Sequence, residues 1–354
     1  MASPRDIILA TRIHLPEASA ASFRLDAVEK ALVALGYRVR VLTTQTAQKA
    51  PSSEYVDTAG TIVSRWPVKR DASGYVRGYI PYMSFDIPLF FRLLFAKKAR
   101  GILVEPPPTT GVMVRLASML RRTPYVWYAA DVWSDATSIA GVPKAVIRAV
   151  TAMESFVVRG AAATIAVSDG VAERIEKLGG KNVHVIPNGI DTTIFSPHAE
   201  TLTEKERVEK HVGSQYFLYA GTASEWQGAE VFAEAIATVR KSYPDAQVVY
   251  LGQGSSWETI RTIAHSITVG NPNKPPVVQH ALVPAHEAAR WQKGAVASLV
   301  SIRPGLGYDF AYPTKILAAL STGTRVLYAG VGAVVDDIEQ HNLGIHCSHN
   351  ADMI

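Results

Sequence analysis

At 354 residues, with 48% hydrophobic and 19% charged residues, the chain has material for two buried cores and is not a disordered or fibrous polypeptide. No apolar run reaches the ~20 residues that span a bilayer, and the single cysteine, Cys347, excludes an internal disulfide and fits a reducing compartment. The net charge of +5 is uneven, with 24 Lys and Arg against 16 Asp and Glu in residues 1–197 and 12 against 15 in the remainder.

In chain order, the N-terminus carries no signal-peptide pattern and runs directly into a strand expected over 7–10. A helix is expected from Ser22 to Leu35, with Phe23, Ala27, Ala31 and Leu35 spaced four apart as the stripe that packs on a sheet, Ser22 as N-cap and Gly36 as C-cap. Further strands are expected over 38–43, 101–105, 125–128, 163–167 and 183–186. The segment Ser84-Phe85-Asp86-Ile87-Pro88-Leu89-Phe90-Phe91-Arg92-Leu93-Leu94-Phe95, followed by Lys97, Lys98 and Arg100, has two readings. It fits an interfacial membrane helix. It also fits a core helix capped by Ser84 or Asp86, and the strand that follows at once favours that reading.

The first half closes on Val183-His184-Val185-Ile186-Pro187-Asn188-Gly189-Ile190-Asp191, then Phe195-Ser196-Pro197. Asn-Gly predicts a turn with positive φ, and the polar stretch 198–211 reads as a linker. Beyond it the alternation resumes: strand 216–220, helix 229–242, strand 247–251, helix 257–267, strand 277–279, helix 285–292, strand 297–302, helix 314–322 and strand 325–329. Such alternation predicts α/β architecture with parallel sheets. In doubly wound sheets ligands bind at the carboxyl ends of the strands, at the switch point.

The junction, with its flanking segments in order, resembles the "IPNGID…F.P" of family 4 glycosyltransferases. Nearly the whole chain follows that resemblance, closest to the branch with "D.WP.S" and "QG" loops. It implies the GT-B fold, two Rossmann-like domains facing a cleft, here 1–197 for the acceptor and 198–354 for a nucleotide sugar. In the family further helices cross back onto the first domain, whereas this chain ends at Ile354, so the resemblance implies a fragment or a missing domain clamp.

Several segments carry the implied chemistry. Gly221 opens the first strand-to-helix turn of the second domain, where backbone amides and a helix N-terminus favour an anion. Thr222 and Gln227 stand where many relatives carry an arginine and a lysine. Gly252 and Gly254 match the "G.G" bordering the nucleotide base. Ser301-Ile302-Arg303-Pro304 and the run through Asp309, Ala311, Thr314 and Lys315 resemble the family's "P.K..E..A.G.PV" segment. Arg303 and Lys315 are the cations expected to stabilise the leaving diphosphate. The other reading of Arg303 is a surface salt bridge. The family's two glutamates fall at Phe310 and Ala318, with Asp309 beside the first.

In the first domain, Ser19 and Arg24 are expected at the acceptor. Asp131 is expected to orient the acceptor hydroxyl, with Trp133 as a stacking surface; the competing reading has Asp131 capping the following turn. Asp131 and Asp135 lack histidine or cysteine company, so no metal is expected. His280 and His286 read as loop histidines.

The resemblance thus implies transfer of a glycosyl group, with retention, from a UDP- or GDP-linked sugar to a glycan or lipid-linked hydroxyl, without cofactor or metal. A cytoplasmic place, with peripheral contact to the inner face of the membrane through the basic first half, follows from the same reading, and no nucleic acid partner is expected. Two alternatives remain. One is a non-catalytic partner subunit, favoured by Thr222, Gln227, Ala130, Phe310 and Ala318. The other, a dinucleotide oxidoreductase, is opposed by the missing Gly-x-Gly-x-x-Gly after 7–10 and the missing acidic residue after the second strand.

Overall fold

Continuous apolar runs such as Ile7-Ile8-Leu9-Ala10 and Val248-Val249-Tyr250-Leu251 become inner strands of parallel sheets, because such strands are covered on both faces. The structure, a computed structural model, describes all residues except 1–4, 18, 47–56, 72–73, 75, 77, 140–141, 268–273 and 310. The chain divides into two units, Met1–Asn188 and Gly189–Ile354. Each is a doubly wound, Rossmann-like parallel sheet with helices between the strands.

The first unit runs β1 (Asp6–Ala10), α1 (Ala20–Ala34), β2 (Arg38–Thr44), β3 (Thr61–Trp66), α2 (Tyr79–Phe95), β4 (Gly101–Val104), α3 (Pro108–Arg121), β5 (Tyr125–Ala129), α4 (Trp133–Ile139), α5 (Lys144–Gly160), β6 (Ala163–Ala166), α6 (Asp169–Lys177) and β7 (Val183–Val185). Its seven strands are parallel, in the order β3-β2-β1-β4-β5-β6-β7, so the order reverses beside β1. Leu9, Leu25, Val39, Val41 and Tyr128 form part of its core.

The helix expected from Ser22 begins at Ala20 instead. Ser19 is the N-cap and Ser22, at N3, completes a capping box. The stripe Phe23, Ala27, Ala31, Leu35 faces solvent; Ser22, Leu25 and Glu29 face inward. Glu29 accepts a place in the core because the His14 ring lies 2.9 Å from its carboxylate, both side chains being fully buried. Gly36 follows the helix with φ +81°, the left-handed conformation that ends many helices.

α2 starts five residues before Ser84 and carries Pro88 within it, so neither proposed cap acts as one. The Ser84 hydroxyl donates to the Pro81 carbonyl, and buried Asp86 accepts from Thr110 at 2.6 Å. The Asn-Gly turn has no positive φ at either residue. The Asn188 side chain accepts from Arg24 at 3.3 Å.

The second unit continues with α7 (Glu204–Glu209), β8 (Phe217–Thr222), α8 (Glu230–Ser242), β9 (Val248–Gln253), α9 (Trp257–Ser266), β10 (Val277–His280), α10 (Ala285–Gly294), β11 (Ala297–Ser301), α11 (Thr314–Ser321), β12 (Val326–Ala329), α12 (Ala333–Gln340) and β13 (Gly344–Cys347). Six parallel strands follow the order β10-β9-β8-β11-β12-β13, reversing beside β8. The stretch expected as a linker is part of this unit. A capping box between Thr203 and Glu206 starts α7, Arg290 binds Glu206 at 2.8 Å, and Leu202 and Val212 are buried against Trp291.

Gly252 and Gly254 lie where β9 and its exit approach β8 closely. A Cβ at Gly252 would sit 2.1 Å from the Gly221 carbonyl oxygen, and one at Gly254 2.2 Å from that of Ala223. Both have φ +151°. Gly252→Ala is expected to destabilise the second unit by about 2 kcal/mol, read as a lower urea midpoint; an unchanged midpoint would contradict this packing.

Candidate functional site

Two clusters lie at the carboxyl ends of the two sheets, each within its own unit. In the second unit, β8 ends at Thr222 and α11 begins at Thr314, which places Lys315 in the first turn of that helix. The Lys315 ammonium donates to the Thr222 carbonyl at 3.1 Å and stands 5.0 Å from the centroid of the buried Tyr219 ring. Tyr219 in turn donates to the same carbonyl at 3.0 Å. Gly221 has φ +113°, and a Cβ there would meet Lys315 Cε at 3.2 Å, so the glycine makes room for the lysine stem.

Lys315 is half-buried by area yet crowded by protein, and this loss of hydration brings its pKa down to about 7. It enters no ion pair among the described residues. Pro313 caps α11 without a side-chain bond, leaving the first-turn amides at the same end as the lysine. A cation short of a counter-charge beside helix amides is equipped to hold an anion.

Other expected donor-site residues have partners within the protein. Gln227 is buried, and its side-chain oxygen accepts the Ser224 amide at 3.0 Å, closing a capping box. Arg303 donates to Glu230, the first residue of α8, and its own amide bonds the Trp226 carbonyl at 2.9 Å. Asp309 accepts the Gly305 amide at 3.2 Å, and the Ala311 amide bonds the Tyr308 carbonyl. Tyr308 and Trp226 stack with centroids 4.4 Å apart, which ties the β11–α11 loop to the β8–α8 loop. Thr222 is exposed, and Thr314 and Ala318 are half-buried on α11. Phe310 lies outside the described residues.

In the first unit, Arg24 projects from α1 to Glu105 at the end of β4. Its Nη2 and Nε donate to one Glu105 oxygen at 2.6 and 3.2 Å, and its guanidinium stands 5.1 Å from the Tyr128 ring centroid. Burial opposes the Arg24 charge, but Glu105 outweighs it and raises the pKa. Asp131 is exposed by area but loses enough surrounding water that its carboxyl is raised, against the pull of Arg24. Burial also raises Glu105, against the same arginine.

Asp131 does not cap the next turn. Glu154 of α5 does so, accepting the Trp133 amide at 2.9 Å, the Ser134 amide at 3.0 Å and the Ser134 hydroxyl at 2.7 Å. The Trp133 ring meets Tyr82 edge-on at 6.1 Å, and Arg12 lies 3.9 Å over Tyr82. Ser19 is committed to its capping box. Away from both clusters, His280 contacts the Lys210 carbonyl at 3.2 Å and lies against Trp291, and burial lowers its pKa. His286 is exposed.

Residues 21–189 match the family model described as glycosyl transferase 4-like domain. That match lies within the first unit, apart from its last residue, and spans just under half of the chain. The chain is also 28% identical over 204 residues to a D-inositol 3-phosphate glycosyltransferase of Paenarthrobacter aurescens, covering 54% of this chain and 46% of that protein. It spans less than half the length of the curated relatives it matches. Among solved structures, sucrose-phosphate synthase from Thermosynechococcus elongatus superposes with a TM-score of 0.75 at 14% identity, over 98% of this chain and 87% of that one. The Anabaena protein HepE, in complex with UDP-glucose, gives 0.68 at 14% identity, over 97% and 85%. At such identities these structures establish the shared fold alone, the expected GT-B class of two Rossmann-like domains. The family match and the two relatives are likenesses to glycosyltransferases.

The first unit also holds Arg12, Tyr82, Glu105 and Glu154, which sequence reasoning missed. Glu105, a carboxylate directly after the apolar strand Ile102-Leu103-Val104, is the one with a readable signal. A charge at a strand's carboxyl end is placed for ligands or for the cations beside them.

Proposed function

We propose that the protein transfers a glycosyl group from a nucleoside-diphosphate sugar to a hydroxyl acceptor, with the second unit holding the diphosphate. The observation that carries this reading is Lys315, poised at the end of β8 beside the α11 amides with its charge uncompensated. A bound diphosphate would supply the missing counter-charge and stabilise the leaving group as the anomeric C–O bond breaks. HepE, of the same fold, is known with UDP-glucose, which makes a uridine donor the first to try. Transfer with retention proceeds by attack of the acceptor oxygen on the face the diphosphate leaves. The acceptor proton passes to the leaving phosphate oxygen, and no protein nucleophile is needed. In the first unit Asp131, raised in pKa and near Arg24, orients the acceptor hydroxyl, with Trp133 as the stacking wall. The basic first half favours an anionic or lipid-linked acceptor, such as a cell-envelope glycan precursor.

A second reading, a non-catalytic partner subunit, is favoured by Gln227 and Arg303, whose side chains are spent on Ser224 and Glu230. A thermal-shift series with UDP, GDP and ADP separates the two. A saturable rise in Tm with one nucleoside diphosphate, of about 3 °C at 100 times its Kd or more, is expected for the transferase. No shift with any of the three, from well-folded protein, would favour the subunit.

A further inference from the structure

We propose that Arg12 is the specificity subsite of the first unit and takes an anionic group, a carboxylate or a phosphate, on the sugar bound there. That this sugar is the acceptor rests on the transferase reading above; the anion subsite stands apart from it. Arg12 follows β1 where the strand order reverses, and Glu105 follows β4 on the other side of that point. Doubly wound sheets take ligands beyond the carboxyl ends of the strands at such a switch point. The backbone at Arg12 is pinned from three directions. The Thr11 amide bonds the Leu42 carbonyl at 3.2 Å, the Thr11 hydroxyl donates to the Ile13 carbonyl at 2.8 Å, and the Thr44 hydroxyl donates to the Arg12 carbonyl at 2.7 Å. The guanidinium is therefore held in place before any ligand arrives.

Its charge is not matched by the protein. Arg12 enters no ion pair among the described residues, and its Nε and Nη1 are buried without a hydrogen-bond partner. Two carboxylates act on it through space, and each is engaged elsewhere. Glu105 accepts two N–H groups of Arg24 on one oxygen. Buried Asp86 accepts the Thr110 hydroxyl at 2.6 Å, its other oxygen has no partner, and burial pushes its carboxyl up towards the neutral form. What the guanidinium does have is the Tyr82 ring, 3.9 Å away. A desolvated cation without a counter-charge costs stability, and a site that receives an anion has a use for it. Arg12 is only half-buried as a residue, so part of it is reached from solvent.

The neighbours of Arg12 indicate what carries the anion. Tyr82 lies between Arg12 and Trp133, meeting the Trp133 ring edge-on at 6.1 Å, and Trp133 follows Asp131 by two residues. The cation thus adjoins an aromatic wall suited to a sugar ring. An acid sugar or a sugar phosphate pairs with Arg12, whereas a neutral sugar leaves the guanidinium as it is. Discrimination between them follows from that difference.

Ligand-observed NMR titrations of the full chain with D-glucuronate, D-glucose 6-phosphate and D-glucose, at constant ionic strength, test the proposal. They are made without nucleotide and in a Lys315→Met background, which removes the other uncompensated cation from competition for phosphate. At least one anionic sugar is expected to bind in preference to glucose; the better of the two assigns the site to a carboxylate or to a phosphate. Arg12→Met is expected to lower that affinity about tenfold or more, while Tm holds or rises. Arg12→Lys, which keeps the charge and loses the planar fork, should retain part of the affinity. Anionic sugars that bind no better than glucose, or a preference that Arg12→Met leaves intact, would overturn the proposal. A lower Tm in Arg12→Met with that preference unchanged would make Arg12 the counter-charge of Asp86 instead. Because no nucleotide is present, failure here leaves the donor reading of the second unit standing, and failure of UDP to bind leaves this subsite standing.

Discussion

Lys315→Met is expected to weaken nucleoside-diphosphate binding and transfer by about 100-fold, the scale of one charge-assisted contact to phosphate made in a partly dehydrated site. The methionine keeps the stem that fills the space above Tyr219 and removes the ammonium, so the fold should survive. The Tm should hold or rise, because the wild-type chain keeps a cation away from full hydration without a counter-charge. Arg303→Ala is expected to cost less, since Arg303 is already bound to Glu230. Equal losses from the two variants would mean that Arg303 leaves Glu230 for the diphosphate.

Arg24→Met should lower the stability of the first unit by about 4 kcal/mol, the scale seen when one member of a buried ion pair is removed. The Arg24 and Glu105 side chains are 12% and 6% exposed, and the variant would leave Glu105 with little besides Thr11 at 3.5 Å. The sign with pH follows from the direction of the Glu105 shift. Burial already raises this carboxyl against the opposing pull of Arg24, and loss of the arginine raises it further. Protonation then relieves the variant, so its deficit should shrink as the pH falls. The double variant Arg24→Met/Glu105→Gln should recover part of the loss in a urea denaturation cycle. A deficit that is independent of pH and unrecovered in the double variant would mean that Arg24 acts through packing.

The alternation of strands and helices was legible because strands covered on both faces are written as unbroken apolar runs, as in β1 and β9. β3 escaped notice because it is an edge strand in which exposed Ile62 and Trp66 alternate with half-buried positions. α1 was legible as a helix but not in phase. Its inward face carries Glu29, whose partner His14 lies on the preceding loop, so apolar spacing pointed to the wrong side. The segment 198–211 read as a linker because its few anchors, Leu202 and Val212, are hidden among charges.

The candidate site divides along the same lines. Gly221, at the end of β8, and Lys315, in the first turn of α11, lie close together beside the Thr222 carbonyl. The pairing of Arg24 with Glu105 and Asn188 joins residues far apart in sequence, and the pairing of Arg303 with Glu230 joins the β11–α11 loop to the start of α8. Side-chain pairings across such distances leave no periodic trace. Residue types marked the cations, and the fold decided which of them remained available.

The central claim is that Lys315 receives a diphosphate. Calorimetric titration of the protein and its Lys315→Met variant with UDP and GDP, at pH values on either side of 7 and in buffers of different ionisation enthalpy, tests it most directly. The lysine must be charged to bind, and its pKa in the free protein is about 7. Wild-type affinity should therefore be full below pH 7 and fall as the pH rises above it, with net proton uptake on binding near neutrality. Both the proton uptake and most of the affinity should vanish in the variant. Tight binding that is indifferent to pH and to the substitution would place the diphosphate elsewhere.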